Sequence, residues 1–145
     1  MTRAKRLQPV QNLVDDKERR LAQSLAGFEK KLIDAERKLN ELERYRAEYE
    51  RQFKETAARG IGVTGLRDYQ AFLARLNEAI RQQQSVVQRA HSERDAERLR
   101  WQEMARKAKA LDHVVEQWNV QEQRARDRRE QIETDERAQR RVKST

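Results

Sequence analysis

The sequence lacks cysteine altogether, and it contains one proline, four glycines and 6% aromatic residues among its 145 positions. Without cysteine the chain can form neither disulfides nor thiolate metal sites. No apolar run approaches the roughly 20 residues that a membrane-spanning helix needs, and the N-terminal segment MTRAKRLQPVQN has no signal-peptide core. We therefore expect a soluble cytoplasmic protein that does not insert into a membrane.

Charge is what the sequence has in abundance. Charged residues make up 40% of the chain, with 33 Lys and Arg against 25 Asp and Glu, and only 36% is apolar. So few apolar residues cannot fill the compact core of a 145-residue domain. The dominant residue types are strong helix formers. The composition predicts either disorder or long helices that bury one narrow stripe.

The spacing of apolar residues favours long helices. At alternating steps of three and four residues from Leu66 to Trp118, 13 of 16 positions are apolar, and the same period runs from Leu21 to Phe53. This heptad pattern predicts a coiled-coil seam. Upstream, Leu7, Val10 and Val14 join the seam only with one extra four-residue shift, a stutter that would locally unwind the supercoil.

A glycine-rich segment, Gly60-Ile61-Gly62-Val63-Thr64-Gly65, separates the two seams. Glycines this dense predict a turn at 58–64, with Thr64 as the cap of the next helix and Pro9 in the first turn of the preceding one. The chain should be all-α: one domain over residues 1–145, folded as a long two-helix antiparallel coiled coil (a helical hairpin). Helix 1 is expected at about 10–57 and the longer helix 2 at about 65–140.

The turn also predicts a register. Centred near Ile61, it makes facing residues carry numbers that add up to roughly 121 or 122, so that Leu111 faces Val10 and Tyr49 faces Phe72. Helix 1 then ends opposite about Trp118. The tail past 120 should form a solvated C-terminal overhang that frays toward its end.

Catalysis is not expected. His91 and His113 fall on outward positions, where we expect solvated side chains, and neither has the partners of a metal site. Two packed helices offer no pocket that shifts carboxylate pKa values. The glycine segment lacks the strand before it and the Gly-Lys-Ser/Thr ending of a phosphate loop. We predict no enzymatic activity, no cofactor and no metal.

Nucleic-acid binding has weak support. The net charge of +8 could bind a polyanion in a salt-sensitive way. However, basic and acidic residues alternate along most of the chain, which is typical of a solvated helix face. Specific nucleic-acid recognition is therefore not expected, and the surplus charge better suits an acidic protein surface.

One apolar feature lies beside the seam. Phe72, Ala79 and Val86 are spaced by seven residues, and the register brings Tyr45 and Tyr49 alongside them. These side chains either widen the seam or form a docking face for a partner, and both alternatives remain open.

The same residues carry a resemblance. The pattern Leu42-x-x-Tyr45-x-x-x-Tyr49, the glycine turn and Tyr69-Gln70-x-Phe72-Leu73-x-x-Leu76-x-x-Ala79-Ile80-x-x-Gln83 closely resembles the flagellar export protein FliJ family. The resemblance implies a cytoplasmic component of the flagellar type III export apparatus, peripherally associated with the inner membrane. It also implies an antiparallel coiled coil similar to the γ stalk of rotary ATPases.

Partners and contact residues follow from the resemblance. It implies insertion into the hexameric export ATPase with stimulation of its turnover, a link to the large transmembrane export gate protein, and escort of export chaperones. The gate-binding patch of the family maps onto Leu42, Tyr45, Tyr49, Phe72, Leu76 and Ala79. Lys38 and Gln83, at the polar edge of the patch, depart from the family pattern, which has Gln and His at these two positions.

The end of the hairpin opposite the turn is a second candidate contact. Basic residues cluster there, and we expect them to contact the ATPase: Arg3, Lys5, Arg6, Arg124, Arg126, Arg128 and Arg129. A solvated helix face is an equally good interpretation of each one. Two alternatives to the export function are a passive scaffold or chaperone-like coiled coil for export substrates and, less favoured, a rod that binds nucleic acid nonspecifically.

Overall fold

The computed structural model describes residues 2–144. They form two helices, α1 (Arg3–Ala58, 56 residues) and α2 (Val63–Lys143, 81 residues). The helices pack against each other as a helical hairpin with the longer helix second, and the described part of the chain is 96% helical without a strand. The predicted all-α hairpin is confirmed.

Helix α1 begins at Arg3, seven residues before the predicted start at 10. Thr2 acts as its cap, because its Oγ1 accepts a hydrogen bond from the backbone N–H of Lys5 at 3.2 Å. The expectation that Pro9 occupies the first turn is therefore wrong, and Pro9 lies inside the helix. Its missing N–H removes one hydrogen bond to the exposed Lys5 backbone, near a helix end where such a loss is tolerated.

The turn is shorter than predicted. Gly60 has a φ of +99°, a conformation that favours glycine, and its N–H donates to the carbonyl of Ala57 at 3.1 Å. The carbonyl of Gly62 accepts from the N–H of Leu66, so Gly62 occupies the cap position of α2. Thr64 is inside the first turn of α2 and is not its cap, contrary to expectation.

The hairpin divides into two compact units, which we call the turn unit and the terminal unit. The turn unit runs from Leu21 to Trp101 and includes the turn. Its buried side chains all lie at predicted seam positions, three, four or seven residues apart along each helix. They are Leu32, Ala35, Leu76, Ile80, Gln83, Ala90 and Glu97. The facing pairs Tyr49–Phe72 and Phe53–Tyr69 have numbers that add up to 121 and 122, in agreement with the predicted register.

The terminal unit comprises the chain up to Arg20 and the chain from Gln102 onward. Here Val10 is 44% exposed, although it was expected to face Leu111. Gln11 is half-buried instead, and its Nε2 donates to Oδ1 of Asp112 at 3.0 Å. With Gln11 in the seam, the steps from Ala4 to Glu18 alternate between three and four. The predicted stutter is therefore wrong.

The last part of the terminal unit is helix with no buried side chain. Every described residue from Gln123 onward is exposed, and α2 continues to Lys143. Polar pairs one turn apart support it, such as Gln123 with Asp127 at 3.1 Å and Arg140 with Glu136 at 3.9 Å. The predicted tail past 120 is thus exposed and remains helical nearly to the end of the described residues.

Candidate docking surfaces

Five aromatic rings from both helices contact one another in the turn unit. Phe53 and Tyr69 stack with ring centroids 3.6 Å apart, and Tyr69 stacks on Tyr49 at 5.3 Å. Tyr49 also meets Phe72 at 4.4 Å, and Phe72 meets Tyr45 edge-on at 6.1 Å. We call these five residues the aromatic cluster. Each such aromatic pair stabilises the fold by about 0.5–1.5 kcal/mol, in addition to the hydrophobic contribution of the area that it buries.

The residues of the predicted patch differ in exposure. Leu76 is buried at 7% exposure and Tyr45 is 50% exposed. Leu42, Tyr49, Phe72 and Ala79 are half-buried. The patch therefore combines both alternatives left open by the sequence: its inner residues widen the seam, and its outer edge at Tyr45 presents an apolar ring to solvent.

The structure extends this surface by two rings. The heptad period predicts Phe53 and Tyr69 as seam residues outside the patch, and in the structure they continue the row of contacting rings toward the turn. The register alone could have identified them, since their numbers add up to 122. Burial, with contributions from the neighbouring Glu50 and Tyr49, raises the pKa of the Tyr69 phenol above its usual value.

Gln83 is buried in the seam at 7% exposure, and its Nε2 donates to the backbone carbonyl of Ala35 at 3.0 Å. A groove between the helices lies beside this contact. We call it the alanine groove; it is lined by Lys31, Asp34, Ala35, Lys38, Gln83, Val86, Arg89, Ala90 and Glu93. Both residues that depart from the family pattern, Lys38 and Gln83, line it.

His91 joins the two helices, contrary to its predicted solvation. Its Nε2 lies 3.2 Å from Oε1 of Glu36 on α1, and its Nδ1 lies 3.3 Å from a guanidinium nitrogen of Arg94. The position beside the seam faces α1, which explains its half-burial. His113 is exposed. No group of three or more metal-ligating side chains occurs within residues 2–144.

The basic residues at the helix termini are all exposed. The structure brings three of them to one groove of the terminal unit, which Lys5, Arg126 and Arg129 line together with Thr2, Asn119, Glu122 and Ala125. The guanidinium of Arg3 instead lies over the ring of Trp118, 4.9 Å from its centroid. Arg6, Arg124 and Arg128 are not among the groove residues. We call the seven basic residues the basic end.

A comparison with protein families fits this arrangement. The model of the family described as flagellar FliJ protein matches residues 3–144, nearly the whole chain. The chain belongs to the flagellar FliJ protein family. FliJ membership confirms the resemblance carried by the aromatic and glycine motifs, and it makes the chain a flagellar export-related coiled-coil protein.

Two further observations complete the comparison. No curated protein and no solved structure matches this FliJ-family chain. Neither helix contains an apolar stretch long enough to cross a bilayer within the described residues.

Proposed function

We propose that this FliJ-family protein is a non-catalytic, stalk-like component of the flagellar type III export apparatus. It inserts into the hexameric export ATPase and stimulates it, links the ATPase to the transmembrane export gate, and escorts export chaperones. It acts in the cytoplasm, peripherally associated with the inner membrane. The observation that carries the proposal is the family match over residues 3–144.

The aromatic cluster supports the gate contact. Binding hot spots are rich in aromatic residues, which bury much area at little cost in side-chain entropy. Tyr45 offers half of its surface, and its ring already rests on Tyr49 and Phe72, with centroids 6.4 and 6.1 Å away. A partner would therefore meet a ring whose position is set in advance, which lowers the entropic cost of binding.

The basic end supports the ATPase contact. Lys5, Arg126 and Arg129 line one groove, and they are exposed, as are Arg6, Arg124 and Arg128, so that an acidic surface can approach them. Such charges mainly accelerate and orient encounter with a partner. Arg3 has a different part in this proposal: over Trp118, it holds the start of α1 against α2.

The gate contact is tested by measuring binding of the cytoplasmic region of the export gate protein to the full chain. Tyr45→Ala should weaken binding at least tenfold and leave the helical circular dichroism spectrum unchanged. Ile33→Ala is the matched control, because Ile33 is 54% exposed on the same helix and lies outside the aromatic cluster. Equal affinities of the two variants would contradict the gate contact.

The passive scaffold remains the second candidate, because a half-exposed aromatic cluster also suits a chaperone-like grip on export substrates. In that case Tyr45→Ala would weaken binding of an export substrate and leave gate binding and ATP turnover unchanged. Nonspecific nucleic-acid binding would instead appear as affinity for DNA that falls steeply with salt.

A further inference from the structure

The terminal unit exposes two aliphatic side chains next to each other on α1. Val10 is 44% exposed and Leu13 is 55% exposed. Each precedes a half-buried seam residue by one position, Gln11 in the first case and Val14 in the second. Residues three apart are neighbours on the surface of a helix. Val10 and Leu13 therefore form one exposed apolar area on the flank of α1 beside the seam.

The facing flank of α2 adds a third aliphatic residue. Val114 is half-buried and precedes the buried seam residue Val115 by one position. In an antiparallel pair, the two flanks that precede the seam lie on the same side, as the contact between Tyr45 and Phe72 shows in the turn unit. Val114 thus lies on the same side of the terminal unit as Val10. We call Val10, Leu13 and Val114 the apolar spot.

Cations surround the apolar spot. On α1, Arg6 lies one turn before it and Lys17 lies one turn after it, and Lys107 lies on the facing flank of α2. All three side chains are exposed, and none of the three belongs to an ion pair within residues 2–144. The flank of α2 opposite α1 sets one carboxylate, Glu103, against them. This side of the terminal unit is therefore both apolar and positively charged.

An anionic lipid surface suits this combination better than a protein partner does. A stable protein interface buries about 800 Å² on each side, and three aliphatic side chains, one of them half-buried, provide only a fraction of that area. A bilayer that contains acidic lipids needs no such area, because its negative potential attracts every Lys and Arg close to it. From Arg6 to Lys17 the flank measures about 17 Å, at 1.5 Å per residue, so that one flat surface can meet both cations and the aliphatic side chains between them.

We propose that this side of the terminal unit adsorbs to an anionic lipid bilayer. Arg6, Lys17 and Lys107 meet the acidic headgroups, and Val10 and Leu13 reach the boundary between headgroups and acyl chains. The chain lies on the bilayer and does not cross it. The inference rests on the proposed location at the inner membrane, and it assigns to that location a protein surface and a lipid chemistry.

Co-sedimentation with lipid vesicles tests the charged part of this surface. The full chain should bind vesicles of phosphatidylcholine mixed with phosphatidylglycerol and should not bind phosphatidylcholine alone. At low salt, Lys17→Glu with Lys107→Glu should weaken the vesicle affinity by about tenfold or more. The control carries Arg19→Glu and Lys109→Glu, two exposed residues that follow a seam position and so lie on the opposite side. Both variants have a net charge of +4 instead of +8, because each substitution removes two positive charges. Equal affinities of the two variants would overturn the proposal.

A fluorescent label tests the apolar part. Because the chain has no cysteine, Leu13→Cys provides a unique thiol for an environment-sensitive fluorophore. Its emission should rise with the mixed vesicles, and a nitroxide on the lipids should quench it. Asn12→Cys is the matched control, because Asn12 is exposed and follows the seam residue Gln11, on the other side of α1. Equal responses at the two positions, or a response at position 13 only when an acidic protein replaces the vesicles, would overturn the proposal.

The failure of this inference can be told apart from the failure of the gate contact with Tyr45→Ala. Tyr45 lies in the turn unit, so Tyr45→Ala should bind the mixed vesicles like the parent chain. If the Lys17/Lys107 variant binds vesicles like its control while Tyr45→Ala weakens gate binding, the lipid contact is overturned and the gate contact stands. If the Lys17/Lys107 variant loses vesicle binding while Tyr45→Ala binds the gate like the parent, the gate contact is overturned and the lipid contact stands. If neither variant loses binding, both are overturned.

Discussion

Replacing Gln83 by Leu should make the protein more stable. Gln83 is buried at a seam position, and its single cross-helix hydrogen bond, to the Ala35 carbonyl, measures 3.0 Å. Such a bond contributes a net 0.5–1.5 kcal/mol or so. Burying a leucine side chain in its place contributes about 1.5–3 kcal/mol. The Ala35 carbonyl keeps its partner within α1, so no acceptor is left unpaired.

The difference is a gain of about 1 kcal/mol in the free energy of unfolding. With an unfolding entropy of about 2.1 cal/mol/K per residue, this raises the melting temperature by roughly 3 °C. Urea denaturation followed by circular dichroism measures it as a higher midpoint at an unchanged slope. Gln84→Leu is the control, because Gln84 is exposed, and it should stay within about 0.5 kcal/mol of the parent. A loss of more than 1 kcal/mol on Gln83→Leu would refute the reasoning.

Three other predictions concern Gly27, Gly65 and Tyr69. Gly27→Ala should stabilise the protein by about 1 kcal/mol in urea melts, because Gly27 is inside α1 and no atom lies within 4 Å of an added Cβ; a neutral or lower value would contradict this. Gly65→Ala should lower the melting temperature, because the new Cβ would lie 2.8 Å from Cγ1 of Ile61, and Ile61→Ala should restore most of the loss. If the double variant melts no higher than Gly65→Ala, the contact is not the cause. In a spectrophotometric pH titration at 295 nm, Tyr69→Phe should remove an ionisation that lies above the usual tyrosine range, because the pKa of Tyr69 is raised. The sign follows from linkage: the associated stability is complete below the unfolded pKa of about 10 and is lost as the pH rises beyond it. Loss of an ionisation at or below the usual tyrosine pKa of about 10 would refute the assignment.

The long-range register was predictable from the sequence because the heptad spacing and the turn fix it jointly. The 13 apolar seam positions from Leu66 to Trp118 leave one face of α2 available for packing, and the glycines set the point of reversal. Together they bring Tyr49 opposite Phe72, as the structure has it. The position of the aromatic cluster follows from these two facts.

The polar contacts were not predictable from the period. Hydrophobicity favours Val10 for the seam, whereas the unbroken three-four period back from Leu21 leads to Gln11; the contact of its amide with Asp112 on α2 is the part that the period does not contain. The outward heptad position of His91 predicts a solvated side chain, yet its ring nitrogen lies 3.2 Å from the carboxylate of Glu36 on α1. Whether a polar group finds a partner depends on distances between helices, which residue spacing along one helix does not contain.

The start of α1 is set by the side chain of Thr2. The position of Pro9 predicts a first turn there, whereas the Thr2 hydroxyl caps the helix earlier in the chain. The same early start places Arg3 over Trp118, and this contact separates Arg3 from the remaining basic end. A cap with a hydrogen-bonded side chain can extend a helix through an early proline, since only one hydrogen bond is lost there.

The central claim, that this FliJ-family chain acts on the export ATPase, is tested most directly by ATP turnover. The purified flagellar export ATPase is assayed with and without the protein, at concentrations where the hexamer is only partly assembled. We predict a several-fold rise with the parent chain and little rise when Lys5, Arg126 and Arg129 are changed to Glu. A control with Arg44, Arg51 and Arg59 changed to Glu, which has the same net charge, should stimulate like the parent. Unchanged turnover with the folded parent chain would contradict the claim.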